Sequence, residues 1–165
     1  MIQRLAIIGV GLIGGSLALA LKQKGLVGEV VGYGRSHDNL QHALDLGILD
    51  KACSSAADAV IDADVVVLAV PLASMRPILQ EIKPHLAKNA ILTDVGSAKG
   101  CWVEDVLAVW SGHWYPNAVP AHPIAGAERS GALAAKANLY VDRKVVITAH
   151  EYSAQSAIGI ETAMW

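Results

Sequence analysis

Leu5-Ala6-Ile7-Ile8-Gly9-Val10-Gly11-Leu12-Ile13-Gly14-Gly15-Ser16 decides the fold. A short apolar run ends on a glycine, and beyond the turn Ile13, Leu17, Ala20 and Leu21 recur at helical spacing until Gly25 stops the pattern. The spacing predicts a strand, a tight turn and a helix. In Gly9-x-Gly11-x-x-Gly14 the first glycine permits the turn, the second lets backbone approach a pyrophosphate, and the third lets helix and strand pack closely. The helix N-terminus behind them offers N–H donors and a positive dipole to an anion. Gly9, Gly11, Leu12, Ile13 and Gly14 are the expected cofactor contacts. A turn that merely packs tightly carries similar glycines. Residues 5–21, uncharged and preceded by Arg4, also imitate a secretory signal peptide. The segments that follow favour the strand, because they make sense only if it stays in place.

Working outward, Glu29 to Tyr33 reads as a second strand, and Ser36 is placed to cap a helix through Leu46 that Gly47 closes. Val65 to Val70 is a continuous apolar run, as in a strand buried on both faces of a parallel sheet, and Pro71 ends it. Val70 and Pro71 stand at the expected switch point and are assigned to the cofactor site. A helix over Ile78 to Leu86, which tolerates Pro84 poorly, a strand over Ile91 to Asp94 and a helix from Gly100 to Trp110 follow. Beyond the loop Ser111 to Pro120 come a short strand Ala118 to Ala121 before His122 and a second loop, Gly126 to Gly131. A helical turn over Ala132 to Asn138, a strand Lys144 to Thr148 and a weak helix from Ala154 complete the chain. The alternation gives an α/β domain over residues 1–165: a Rossmann-type, doubly wound, mostly parallel sheet with helices on both faces.

Composition narrows the partners. The chain has 165 residues, 53% hydrophobic and 17% charged, enough for one core and too few for two ordinary domains. A net charge of -2 without a Lys/Arg-rich run gives no footprint for nucleic acid or an anionic membrane, so a small-molecule substrate is favoured. Cys53 and Cys101 lack disulfide or metal spacing, no metal ligand set is found, and a cytoplasmic location is expected.

The end of the second strand bears on the cofactor. NAD sites usually carry a carboxylate there for the ribose hydroxyls, whereas this chain reads Val31-Gly32-Tyr33-Gly34-Arg35-Ser36. Gly34 stands where the acid is expected, and Arg35 and Ser36 are suited to a 2′-phosphate, so NADP is expected, with NAD acceptable. Two further clusters follow strand ends: Asp94-Val95-Gly96-Ser97-Ala98-Lys99 and His122-Pro123-Ile124-Ala125-Gly126-Ala127-Glu128-Arg129-Ser130-Gly131. Loops beyond the carboxyl ends of strands surround the ligand, which brings Asp94 to the cofactor and Ser97 and His122 to its nicotinamide half. His122 is then suited to accept a proton from a substrate hydroxyl, with Ser97 orienting its ring. A histidine before proline also serves simply as a turn or capping residue.

These three ordered motifs resemble the nucleotide-binding half of prephenate and arogenate dehydrogenases across nearly the whole chain. The resemblance implies that His122 is the catalytic histidine meeting the ring hydroxyl, Ser97 its partner, and Glu128 a residue at the substrate entrance. The reaction it implies is NAD(P)-dependent oxidative decarboxylation in tyrosine biosynthesis. It also implies a helical domain after this one that dimerises and completes the substrate site. The chain is therefore expected to bind cofactor with little or no turnover alone. Alternative readings are an oxidoreductase like the β-hydroxyacid dehydrogenases or imine reductases, in which no His122 motif is expected, and a non-catalytic NAD(P)-sensing module.

Overall fold

A computed structural model describes residues 1–165. The elements in chain order are β1 (Ile2–Ile8), α1 (Leu12–Gln23), β2 (Val27–Tyr33), α2 (His37–Asp45), β3 (Lys51–Ala52), α3 (Ala56–Val60), β4 (Val65–Leu68), α4 (Met75–Ile82), β5 (Ile91–Asp94), α5 (Lys99–Val109), β6 (Ala121–Pro123), β7 (Val145–Ile147) and α6 (Gln155–Met164). Five parallel strands form one sheet in the order β3-β2-β1-β4-β5. The order reverses beside β1, so the carboxyl ends of β1 and β4 flank the crevice where such sheets take their ligands.

Alternation along the central strands builds two cores. Leu5, Ile7, Val65 and Val67 point to one face, where Leu17, Leu21, Leu40 and Met164 from α1, α2 and α6 meet them. Ala6, Ile8, Val66 and Leu68 point to the other, against Ala59, Met75, Leu79, Ile82, Trp102 and Val106 from α3, α4 and α5. Burial on both faces explains why residues 5–8 of β1 and all of β4 read as unbroken apolar runs. Each fully buried Leu, Ile or Val contributes about 1.5–3 kcal/mol. The stretch that imitates a signal peptide is the central strand, its turn and α1. No helix is long and apolar enough to cross a membrane.

Several expectations shift. The strand from Val65 stops at Leu68, leaving Val70 and Pro71 in the following loop. Pro84 lies outside α4, which begins earlier, at Met75, and gives way to a 3₁₀ turn over Lys83–His85. Pro77 falls in the first turn of α4, where a missing N–H breaks no helical bond. β3 and α3 were not anticipated. The last strands leave the parallel sheet: β6 and β7 form an antiparallel ribbon pairing His122 with Val146, so His122 lies within a strand rather than after it. A parallel bridge between Leu92 and Ala118 ties the ribbon to the β5 edge.

Candidate functional site

The glycine turn joins the end of β1 to α1. Gly9 has φ +98, and a Cβ there would lie 2.3 Å from the Ala69 carbonyl oxygen. A Cβ on Gly14 would stand 2.7 Å from Ile7 Cγ2 and 2.8 Å from the Gly9 carbonyl oxygen, so α1 packs on β1 at a distance only glycine allows. Gly11 differs: nothing lies within 4 Å of a Cβ built on it. It therefore faces open space. Gly11 caps α1 without a side-chain bond, and the first turn of α1, which starts Leu12-Ile13-Gly14, holds no acidic residue. The first N–H groups of a helix have no acceptor within it. Open space, free donors and the positive end of the helix dipole fit a pyrophosphate.

At the end of β2, Gly34 leaves room where an acid was not found, and Arg35 is exposed. The Ser36 hydroxyl oxygen accepts from the Asn39 N–H at 3.2 Å, capping α2, and its proton stays free to donate to a ligand. Val70, half-buried, lies against Gly9, and exposed Pro71 follows it.

Beyond β5, His122 is half-buried and its Nδ1 stands 3.4 Å from the Val95 carbonyl oxygen. A carbonyl only accepts, so in the neutral imidazole this contact favours the proton on Nδ1 and leaves Nε2 as the acceptor. The sequence pattern assigns the orienting role to Ser97. Ser97 is exposed in the adjoining loop, and the His122 ring meets the Val95 carbonyl instead.

Asp94 faces the interior. Its side chain is fully buried, both oxygens lie 2.6 Å from Lys99 Nζ, and one also accepts from the Gly96 N–H at 3.0 Å. The carboxylate is thus turned inward, toward Lys99 and the Gly96 N–H. Lys99 additionally donates to the Ala121 carbonyl at 2.6 Å, one residue before His122, so Asp94 and Lys99 brace the Val95–Ala98 loop against β6. Burial pushes the Asp94 carboxyl up and the Lys99 ammonium down, each opposed by the partner's charge.

Glu128 lies in an exposed stretch from Gly126 to Ser130. The chain after it returns to the glycine turn: the Ser16 hydroxyl accepts from the Lys136 N–H at 2.8 Å, and the Tyr140 hydroxyl donates to the Ile13 carbonyl at 2.6 Å. Asn39 and Lys99, both missed from sequence, make the contacts that hold these loops. Away from all of this, an apolar cavity of about 690 Å³ opens at the amino ends of β1, β4 and β5, among Leu21, Leu26, Ile160 and Met164. It is at the wrong edge of the sheet for the glycine turn.

Residues 17–165 match the family described as prephenate dehydrogenase, nucleotide-binding domain. The chain is 33% identical over 163 residues to a cyclohexadienyl dehydrogenase of Zymomonas mobilis, covering 99% of this chain and 55% of that protein. Among solved structures, prephenate dehydrogenase from A. aeolicus, in complex with hydroxyphenyl propionate and NAD+, superposes with TM-score 0.90 at 33% identity, covering 100% of this chain and 57% of that one. Synechocystis arogenate dehydrogenase gives TM-score 0.86 at 29% identity, covering 98% and 55%. The chain thus spans somewhat more than half the length of these relatives. With the glycine turn, the β5 loop and the His122 strand gathered at one edge of the sheet, the chain belongs to the prephenate dehydrogenase family, as its nucleotide-binding domain.

Proposed function

We propose that this domain seats NADP+, and less tightly NAD+, on the glycine turn and presents His122 to the ring hydroxyl of prephenate or arogenate. The whole protein then carries out oxidative decarboxylation in tyrosine biosynthesis. One observation carries the reading: His122 is braced through Val95 at the carboxyl end of β5, on the same edge of the sheet as the open Gly11. Strand β4 alone separates β1 from β5, so the two ends are about 10 Å apart, within reach of one dinucleotide.

Bound NAD(P)+ supplies the hydride acceptor. His122 takes the hydroxyl proton on Nε2 as the carbinol C–O bond becomes a carbonyl. The ring carboxylate leaves as CO2, its bonding electrons make the ring aromatic, and the phenolate oxygen takes the proton back. The protein must supply orientation and one base, because aromatisation drives the rest. Ser97, exposed two residues beyond the Val95 that meets His122, is suited to meet the same hydroxyl, and Glu128 to stand at the substrate entrance. Arg35, exposed at the end of β2 where no acid stands, supports the preference for NADP.

Residues 1–165 act as the cofactor half. A helical half of the kind the family resemblance implies completes the substrate site and forms a homodimer, in a cytoplasm that keeps Cys53 and Cys101 reduced. The test joins this domain to such a half and follows NAD(P)H formation with prephenate and with arogenate. His122→Asn is expected to abolish turnover at unchanged NAD(P)+ affinity; undiminished turnover would overturn the assignment.

A further inference from the structure

The segment that carries Glu128 is a strap with two anchors. At its start the Ile124 N–H donates to the Lys144 carbonyl at 2.8 Å; past its end the Ala132 N–H donates to Asn39 Oδ1 at 2.7 Å. Between these, Gly126 to Ser130 are exposed and make no hydrogen bond to the rest of the chain. The second anchor is unusual in what else it holds. Asn39 Nδ2 donates to the Val10 carbonyl at 2.6 Å, inside the glycine turn.

A single half-buried amide therefore joins the turn by its donor end and the strap by its acceptor end. Its orientation is fixed, since a flipped amide would set oxygen against oxygen at Val10 and N–H against N–H at Ala132. Gly131 completes the fit: it has φ +84, and a Cβ on it would lie 3.0 Å from Asn39 Oδ1. The Val10 carbonyl shares one rigid peptide plane with the Gly11 N–H, so whatever fixes the turn also fixes the group that Asn39 holds.

We propose that Asn39 is a positioning residue that links seating of the dinucleotide on the glycine turn to placement of the strap Ala125–Ser130 and its Glu128 carboxylate. The inference rests on the dinucleotide reading above. Coupling of this kind is reciprocal: if the bound turn orders the strap, an ordered strap tightens dinucleotide binding by the same factor.

The experiment measures hydrogen exchange at the Ala132 amide and tryptic cleavage after Arg129 in this chain, free and saturated with NADP+ or NAD+. Wild type, Asn39→Asp, Asn39→Ala and Gly131→Ala are compared, each at its own saturating nucleotide concentration. In wild type, nucleotide is expected to slow both processes roughly fivefold or more. Asn39→Asp keeps the acceptor for Ala132 but turns an oxygen toward the Val10 carbonyl. Its Ala132 exchange in the free protein should stay close to wild type while the slowing by nucleotide disappears. Asn39→Ala should lose both, and Gly131→Ala, which disturbs the link from the strap side without touching α2, should also lose the slowing. Equal slowing in wild type and the Asn39 variants overturns the proposal, as does a wild type that binds nucleotide without slowing. A folded wild type that binds neither nucleotide overturns the dinucleotide reading itself, a distinct result.

Discussion

Lys99 Nζ lies 2.6 Å from each carboxylate oxygen of Asp94, whose side chain is fully buried. This ion pair joins the loop after β5 to the strand that carries His122, because the same ammonium also reaches the Ala121 carbonyl. Removing one partner of a buried pair leaves an uncompensated charge and costs about 3–5 kcal/mol. Lys99→Met is expected to lower stability by about that amount in denaturant unfolding. Asp94→Asn combined with Lys99→Met should recover part of the loss, whereas strictly additive losses would show that the two side chains act independently.

Glu161 gives a pH signature. Its carboxyl is fully buried under β5, accepts from Thr93 Oγ1 at 2.8 Å and Trp165 Nε1 at 2.7 Å, and leaves Oε2 without a partner. Burial, chiefly, and the nearby Asp94 charge push it up to about 7 from 4.5. An acid whose folded value is raised binds more protons folded than unfolded, so its contribution is greatest below about 4.5 and is lost as pH rises to about 7. The loss approaches about 3 kcal/mol. Glu161→Gln should flatten the stability profile across that window and exceed wild type in stability near neutral pH. Asp94, also raised, slopes the same way, and Asp50, lowered with help from its Lys22 bond though burial opposes it, slopes oppositely; only the difference between wild type and variant isolates Glu161. Parallel profiles would contradict the assignment.

The two glycines of the turn should separate folding from binding. Gly14→Ala forces a Cβ to within 2.7 Å of Ile7 Cγ2 and should destabilise the domain by about 1–3 kcal/mol. Gly11→Ala meets no protein atom within 4 Å, so thermal stability should hold to within about 0.5 kcal/mol while nucleotide affinity falls about tenfold or more. Equal damage to stability from both would refute the division of roles.

Arg35 is exposed and its neighbour Gly34 offers no carboxylate. Arg35→Ala should weaken NADP+ binding by about 1.5–3 kcal/mol, the value of a charge-assisted hydrogen bond, and NAD+ much less. Equal losses for both nucleotides would sink the preference for NADP.

What the sequence revealed depended on how locally each feature is encoded. α1, β4 and residues 5–8 of β1 were legible because apolar runs and helical spacing are written within about a dozen residues. β3, with two residues, and α3, with five, are too short to show a period. Pairing of His122 with Val146 and the bonds of Asn39 to residues 29 and 93 positions away depend on tertiary placement, which no local pattern encodes. Asp94 stands at a strand's carboxyl end as its place in the sequence indicates, but Lys99, five residues on, takes the carboxylate inward, a pairing no local pattern announces.

Calorimetric titration of this chain with NADP+ and NAD+ separately decides whether Gly9-x-Gly11-x-x-Gly14 seats a dinucleotide. Saturable one-to-one binding, tighter for NADP+ and lost or much weakened in a stably folded Gly11→Ala, is the predicted result. A folded wild-type chain that binds neither nucleotide, or binds both equally well with Gly11→Ala, contradicts it.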